Sequence, residues 1–292
     1  MTDDQQMVIP AHGEMSVSSI VPAILTKQAN SLVPEDILEA DCIVLLVLDG
    51  LGWNQIKDRR GDLPFLHAGS ATAITTVAPS TTAAALTSIA TGVPPGEHGV
   101  IGYKIPTPQG LLNSLRWSVG GQSMVGELPP IDFQPVEPFL GTNPPTITRA
   151  EFKTTGFTQA HLRNGKFRGW WSPATLVTEI IDQVETGATF VYAYYDGVDT
   201  IAHVHGFDRH YQDELKFVDA LVERIFQELP DGAVLLVTAD HGMVEVGDRI
   251  LQLEEEIVHR TSMTSGEARF LWLHADSGGA ESLEEAAQFY SD

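Results

Sequence analysis

The residues best suited to chemistry are Asp49, Thr82, Asp199, His203, Asp240 and His241. Asp199-x-x-x-His203 sets a carboxylate and an imidazole one helical turn apart, and Asp240-His241 places two such groups side by side. Carboxylate oxygen mixed with imidazole nitrogen is a ligand set for Zn²⁺, with Mn²⁺ as the alternative. Each group alone also has an ordinary explanation. Asp49 can cap a helix with Gly50 and Gly52 as turn residues, and a histidine near a strand end is often only a solvated surface group. Their joint placement at the ends of successive elements favours the chemical reading.

Those elements can be read from the pattern around them. The run 42–48 (Cys-Ile-Val-Leu-Leu-Val-Leu) is continuously apolar, as a parallel strand buried on both faces must be, and Asp49 follows it directly. A strand at 188–195 precedes Asp199, and one at 233–239 ends in Asp240. Helices are expected over 172–185 and, capped by Asp208, over 208–229. Strand, helix and strand in alternation predict an α/β fold, with a mostly parallel central sheet flanked by helices on both faces. Ligands in such sheets gather beyond the carboxyl ends of the strands, where all three aspartates fall.

The stretch 77–92 joins this frame to a nucleophile. Pro79, Ser80 and Thr81 are turn and cap residues, and the alanine-rich run after them, stopped by Gly92, predicts a helix beginning near Thr82. Free N–H groups and the positive end of the helix dipole at that position attract an anion and ease loss of a hydroxyl proton. The plainer alternative makes Ser80, Thr81 and Thr82 a capping cluster. Segment 71–77 is expected to be a short strand leading into this turn, and 93–103 a further turn followed by a short strand. Residues 104–168 scatter eight prolines among Trp117, Phe133 and Phe139, too apolar for a linker, and are expected to form an irregular lid inserted in a single domain spanning 1–292. An edge strand is expected at 268–273.

Composition narrows the partners. With 17 basic against 39 acidic residues the net charge is −22, which disfavours a nucleic-acid surface or an anionic membrane. The one cysteine, Cys42, opens an apolar run and is expected to be a buried thiol, so no disulfide framework exists. The acidic start of the chain and the absence of a long apolar stretch lead to the expectation of a cytoplasmic protein.

In order and spacing, the motifs resemble the alkaline-phosphatase superfamily and, within it, the type I phosphodiesterase / nucleotide pyrophosphatase family. The matching features are Asp49-Gly50, Pro79-x-x-Thr82 with Thr91-Gly92, Pro95-x-x-His98-Gly99, Asp199-x-x-x-His203 and Asp240-His241-Gly242-Met243. The resemblance implies Thr82 as nucleophile, Asp49, Asp240, His241 and the Thr82 oxygen around one metal, and Asp199 and His203 on a second. It implies two divalent ions, most simply Zn²⁺, a small phosphorylated substrate such as a nucleotide or other phosphodiester, and a phospho-threonine intermediate. His98 is implied to be a turn residue.

Two departures stand out. Many members carry an asparagine that donates to the phosphate where this chain has Tyr103, whose phenol is the expected substitute donor. The family's later His-Gly, which completes the second metal, has no counterpart before Asp292, and His274 is not followed by glycine. His205 is the nearest replacement in sequence. A truncated or catalytically impaired metal-binding relative, or a phosphomonoesterase of the same superfamily, is the alternative to an active phosphodiesterase. A sulfatase is disfavoured because no Cys-x-Pro-x-Arg or serine equivalent occurs, and a phosphomutase because threonine stands in the nucleophile position and no large inserted domain is present. Only seven basic residues fall in 104–168 (Lys104, Arg116, Arg149, Lys153, Arg163, Lys166 and Arg168), so diesters are expected to be preferred over dianionic monoesters.

Overall fold

All seven side chains of β1 (Cys42–Leu48) are buried, because the strand lies between two apolar layers. Ile43, Leu45 and Val47 face one core, and Cys42, Val44, Leu46 and Leu48 face the other. The computed structural model describes residues 8–248 and 250–288. Its core is a five-stranded sheet in the order β7-β6-β8-β1-β9, with β6 at Pro145–Arg149, β7 at Lys166–Trp170, β8 at Phe190–Tyr195 and β9 at Ala233–Thr238. Every pairing in it is parallel, so all five carboxyl ends share one edge.

Helices cover both faces. One core is closed by α1 (Thr82–Thr91) together with residues of 17–24 and 157–162. The other is closed by α2 (Pro173–Glu185) and α4 (Arg209–Glu228), with α3 (Gly197–His205) following β8. Ser172 and Thr175 form a reciprocal capping box at the start of α2, and Asp208 caps α4 by accepting from the N–H groups of His210 and Tyr211. Cys42 is a buried free thiol. No helix among the described residues is long and apolar enough to cross a membrane.

A second, antiparallel sheet of six short strands runs β11-β10-β2-β3-β4-β5. Its members are β2 (Lys104–Thr107), β3 (Gly110–Asn113), β4 (Ser118–Val119), β5 (Gln122–Ser123), β10 (Met263–Glu267) and β11 (Phe270–His274). The edge strand read at 268–273 corresponds to β11. The lid reading of 104–168 needs revision in its extent: β2–β5 leave the core sheet, but β6 and β7 are two of its five strands. Pro145 and the alternating exposure along β7 broke the apolar run that marks the other core strands. The expected strand at 71–77 is absent. Thr75 makes one parallel bridge to Ser16, and residues 71–73 are exposed, so no neighbour extends the ladder. Residues 100–103 likewise form no strand, and a single helical turn, Pro95–His98, precedes them.

Candidate active site

Three buried groups meet beyond the carboxyl edge of the core sheet. Asp49 follows β1, Asp240 and His241 follow β9, and their exposures are 2%, 0% and 7%. One ligand atom from each lies within 4.8 Å of the others. His241 Nε2 stands 3.3 Å from Asp49 Oδ1 and 3.5 Å from Asp240 Oδ2. The backbone turns hold this cluster. Asp240 Oδ1 accepts from Gly50 N (3.2 Å) and His241 N (2.9 Å), and Asp49 Oδ2 accepts from the Tyr194 hydroxyl. Gly52 is required for the approach: a Cβ there would sit 2.5 Å from Gly242 Cα.

Thr82 completes the group. Its Oγ1 is 3.0 Å from His241 Nε2, at the first residue of α1. Thr81 holds the N-cap position with extended backbone, yet its hydroxyl makes no cap bond to the helix. A simple capping cluster is therefore not what the turn builds. Instead the first-turn N–H groups stay free to meet an anion beside the Thr82 hydroxyl. His98 is the turn residue that the motif implied: it is wholly buried, its Nδ1 accepts from Val100 N (3.1 Å) and its Nε2 pairs with Ser88 Oγ (2.9 Å). Burial lowers its pKa to about 3.

Asp199 and His203 are less enclosed. Asp199 N donates to the Asp49 carbonyl (3.1 Å), which ties the start of α3 to the end of β1. His203 Nε2 is 3.4 Å from Asp199 Oδ1, but its side chain is 70% exposed. His205 does not join them; it stacks on His210, with ring centroids 3.9 Å apart. Two residues along a helix from His203, it leaves the axis on another side. Tyr103 lies just before β2, and its hydroxyl accepts from Asn113 Nδ2 (2.6 Å).

Glu267 is a site residue the sequence reading missed. At the end of β10 its carboxylate lies beside the Thr81 hydroxyl, next to the candidate nucleophile, and its Oε1 is buried without a hydrogen bond. Nothing local marks it, because it arrives through pairing of Gly266 with Lys104, far away in sequence.

The donor set fits a divalent cation. Asp49 Oδ1, Asp240 Oδ2 and Asp199 Oδ1 are buried and accept no hydrogen bond. Unpaired acceptors of this kind are costly unless a cation or proton meets them. Burial raises the pKa of Asp49 well above the usual carboxylate range, and the Asp240 carboxylate adds to the effect. Burial likewise lifts Asp240 to about 7, and burial raises Asp199. At Asp199 the neighbouring His203 opposes the rise.

The family model for type I phosphodiesterase / nucleotide pyrophosphatase matches residues 43–291, a span that holds every residue of this cluster. The chain belongs to that family. As a member it is a phosphodiesterase / nucleotide pyrophosphatase-type hydrolase, and the family is metal-dependent. The fold agrees. Murine ectonucleotide pyrophosphatase / phosphodiesterase 5, solved as an inactive threonine-to-alanine variant with AMP, superposes with a TM-score of 0.62 at 14% identity, over 84% of this chain and 69% of its own. The human protein of the same name gives 0.60 at 14% identity, over 85% and 69%. A search of curated proteins by sequence finds no match.

Proposed function

We propose that this phosphodiesterase-family chain hydrolyses a small phosphodiester or nucleotide pyrophosphate through a phospho-threonine at Thr82. The observation that carries the reading is the Thr82 hydroxyl, placed at a helix N-terminus and 3.0 Å from His241 within the buried Asp49–Asp240–His241 cluster. That the murine neighbour was rendered inactive by replacing a threonine, and was solved with AMP, supports both the nucleophile and a nucleotide-like substrate.

Asp49, Asp240, His241 and the Thr82 oxygen would hold one divalent ion, Zn²⁺ before Mn²⁺, and Asp199 with His203 would hold a second more weakly. When bound, such ions supply the positive charge that lowers the hydroxyl pKa and offsets charge on the phosphoryl group. Thr82 Oγ1 attacks phosphorus, its proton passing through solvent to the departing alcohol or phosphate. The Oγ1–P bond forms as the bond to the leaving alcohol or phosphate breaks. The free N–H groups at the start of α1 receive a non-bridging oxygen. Water then attacks phosphorus, the Oγ1–P bond breaks, and the hydroxyl regains a proton. Two in-line displacements give overall retention at phosphorus. The Tyr103 hydroxyl, coupled to Asn113, is the proposed donor to the substrate.

The test compares Thr82→Ala with Thr81→Ala on an aryl phosphodiester, with zinc content measured in both. Thr82→Ala should lose several orders of magnitude in kcat while still binding zinc through Asp49, Asp240 and His241. An active Thr82→Ala enzyme beside a dead Thr81→Ala enzyme would overturn the assignment.

A further inference from the structure

A second group of metal-binding side chains lies outside the catalytic cluster, at the joint between α3 and α4. His205 ends α3, Gly206 turns the chain with φ 66°, and Asp208 and His210 open α4. One ligand atom from each of His205, Asp208 and His210 lies within 4.8 Å of the others. All three residues are exposed, so an ion can reach them without any movement of the core.

We infer that His205, Asp208 and His210 form a separate zinc-binding clip that fastens the end of α3 to the start of α4. Two imidazoles and one carboxylate are a common three-ligand set for Zn²⁺, with water in the fourth position. Asp208 divides its work in a way that leaves an oxygen available. Oδ1 accepts from His210 N at 2.8 Å and caps the helix, while Oδ2 faces His210 Nδ1 at 2.9 Å. Two donors on one tetrahedral zinc, at metal–donor distances near 2.0–2.1 Å, are about 3.3 Å apart, so this pair needs to open by only a few tenths of an ångström. The His205 ring stacks on that of His210 at 3.9 Å and within 17° of parallel, so the two rings are adjacent, but their in-plane lone pairs do not yet converge. Because His205 is exposed, its ring is free to unstack by turning about its side-chain bonds and aim a nitrogen at the same ion.

The placement has a consequence for the catalytic half of α3. Asp199 and His203 sit on this same helix, whose C-terminal end is closed by the Gly206 N to Ala202 O bond (2.8 Å) and packs against α4. An ion bridging His205 to Asp208 and His210 would hold that turn and limit the freedom of the exposed His203.

The experiment is a zinc titration of the full chain, read by calorimetry, for the wild type, the double variant His205→Ala/His210→Ala, Asp208→Asn and His203→Ala. Asparagine caps a helix as well as aspartate does, so Asp208→Asn removes a charged ligand while keeping α4 intact. The expected result is one zinc equivalent lost in the double variant and weakened about tenfold or more in Asp208→Asn, with the tighter equivalents unchanged and the metal-free melting temperature preserved. Loss of even an outer hydrogen-bond partner costs tenfold at other sites, so removal of a ligand should cost at least as much. If every equivalent survives in both variants, or if the weaker one disappears only in His203→Ala, the clip does not exist.

Discussion

Asp240→Asn should make the metal-free protein more stable, and more so as pH rises. Asparagine is nearly the same shape, and its oxygen can still accept from Gly50 N and His241 N, as Asp240 Oδ1 does. What changes is the charge. Burial moves the Asp240 carboxyl from its ordinary 3.8 to about 7, with the Asp199 carboxylate adding to the rise. A folded-state pKa above the unfolded one means that the folded protein holds a proton which the unfolded chain has released. The stability contributed is therefore complete below pH 3.8 and lost as pH rises through about 7. At pH 8 the loss amounts to about 4 kcal/mol, from roughly 1.4 kcal/mol for each of about three decades, and at pH 5 to under half of that.

The asparagine variant lacks this penalty. At about 2 °C per kcal/mol for a chain of this size, it should melt roughly 8 °C above the wild type at pH 8 in a chelator, with the gap narrowing toward pH 5. Taking the difference between the two curves removes the contribution of His98 and His161, whose lowered pKa values act in the opposite direction. With zinc in place of chelator the order should reverse, because the wild type gains binding energy through a ligand the variant has lost. An asparagine variant that melts below the wild type in chelator at pH 8 would refute the reasoning, and would mean that the Asp240 charge is satisfied within the protein itself.

His98→Gln should flatten the acid side of the stability curve. Because His98 has a pKa lowered to about 3, its contribution is present above 6.5 and falls by about 2 kcal/mol between pH 7 and pH 5; denaturant unfolding at both pH values should show the wild type losing that much more than the variant. Gly52→Ala drives a Cβ to 2.5 Å from Gly242 Cα and should separate Asp49 from His241, with stability lower by about 1–3 kcal/mol and both zinc affinity and kcat reduced; undiminished zinc affinity would contradict the packing argument. A diester should turn over faster than a simple monoester, since the carboxylates of Asp49, Asp199, Asp240 and Glu267 crowd the site and Arg149 is already engaged by Asp196 at 2.8 Å. Glu267→Gln should narrow that ratio, and a monoester preferred by the wild type would overturn the expectation.

How far the fold could be read depended on whether burial was local in sequence. β1 and β8 are buried on both faces and β9, at the sheet edge, is partly buried against β1; all three appear as apolar runs, and the alanine-rich stretch with Gly92 at its end marks α1 by composition alone. β2 to β5 are two to four residues long and gain their order from partners rather than from any period, which is why 104–123 looked irregular. β6 lies inside the core sheet, yet it begins with proline and carries threonine at Thr146 and Thr148, so its burial is hidden from a search for apolar runs.

The same distinction separates the site residues that were found from the one that was not. In an all-parallel sheet the carboxyl ends share an edge, so Asp49 and the pair Asp240-His241 can be assigned to one place from strand positions alone, without knowing strand order. Thr82 could be added because a helix N-terminus is also marked locally. Glu267 belongs to the other sheet, whose strands are antiparallel, and an antiparallel strand end says nothing about which edge it meets until its partner is known. Glu267 itself stands opposite Phe270, and it is the neighbouring Gly266, with φ 81°, that pairs with Lys104 and so carries the carboxylate to the side of Thr81. A carboxylate that comes from a second sheet to the turn before Thr82 can also be altered without disturbing the three strand ends. The diester-to-monoester ratio is therefore better probed at Glu267 than at any of the three aspartates.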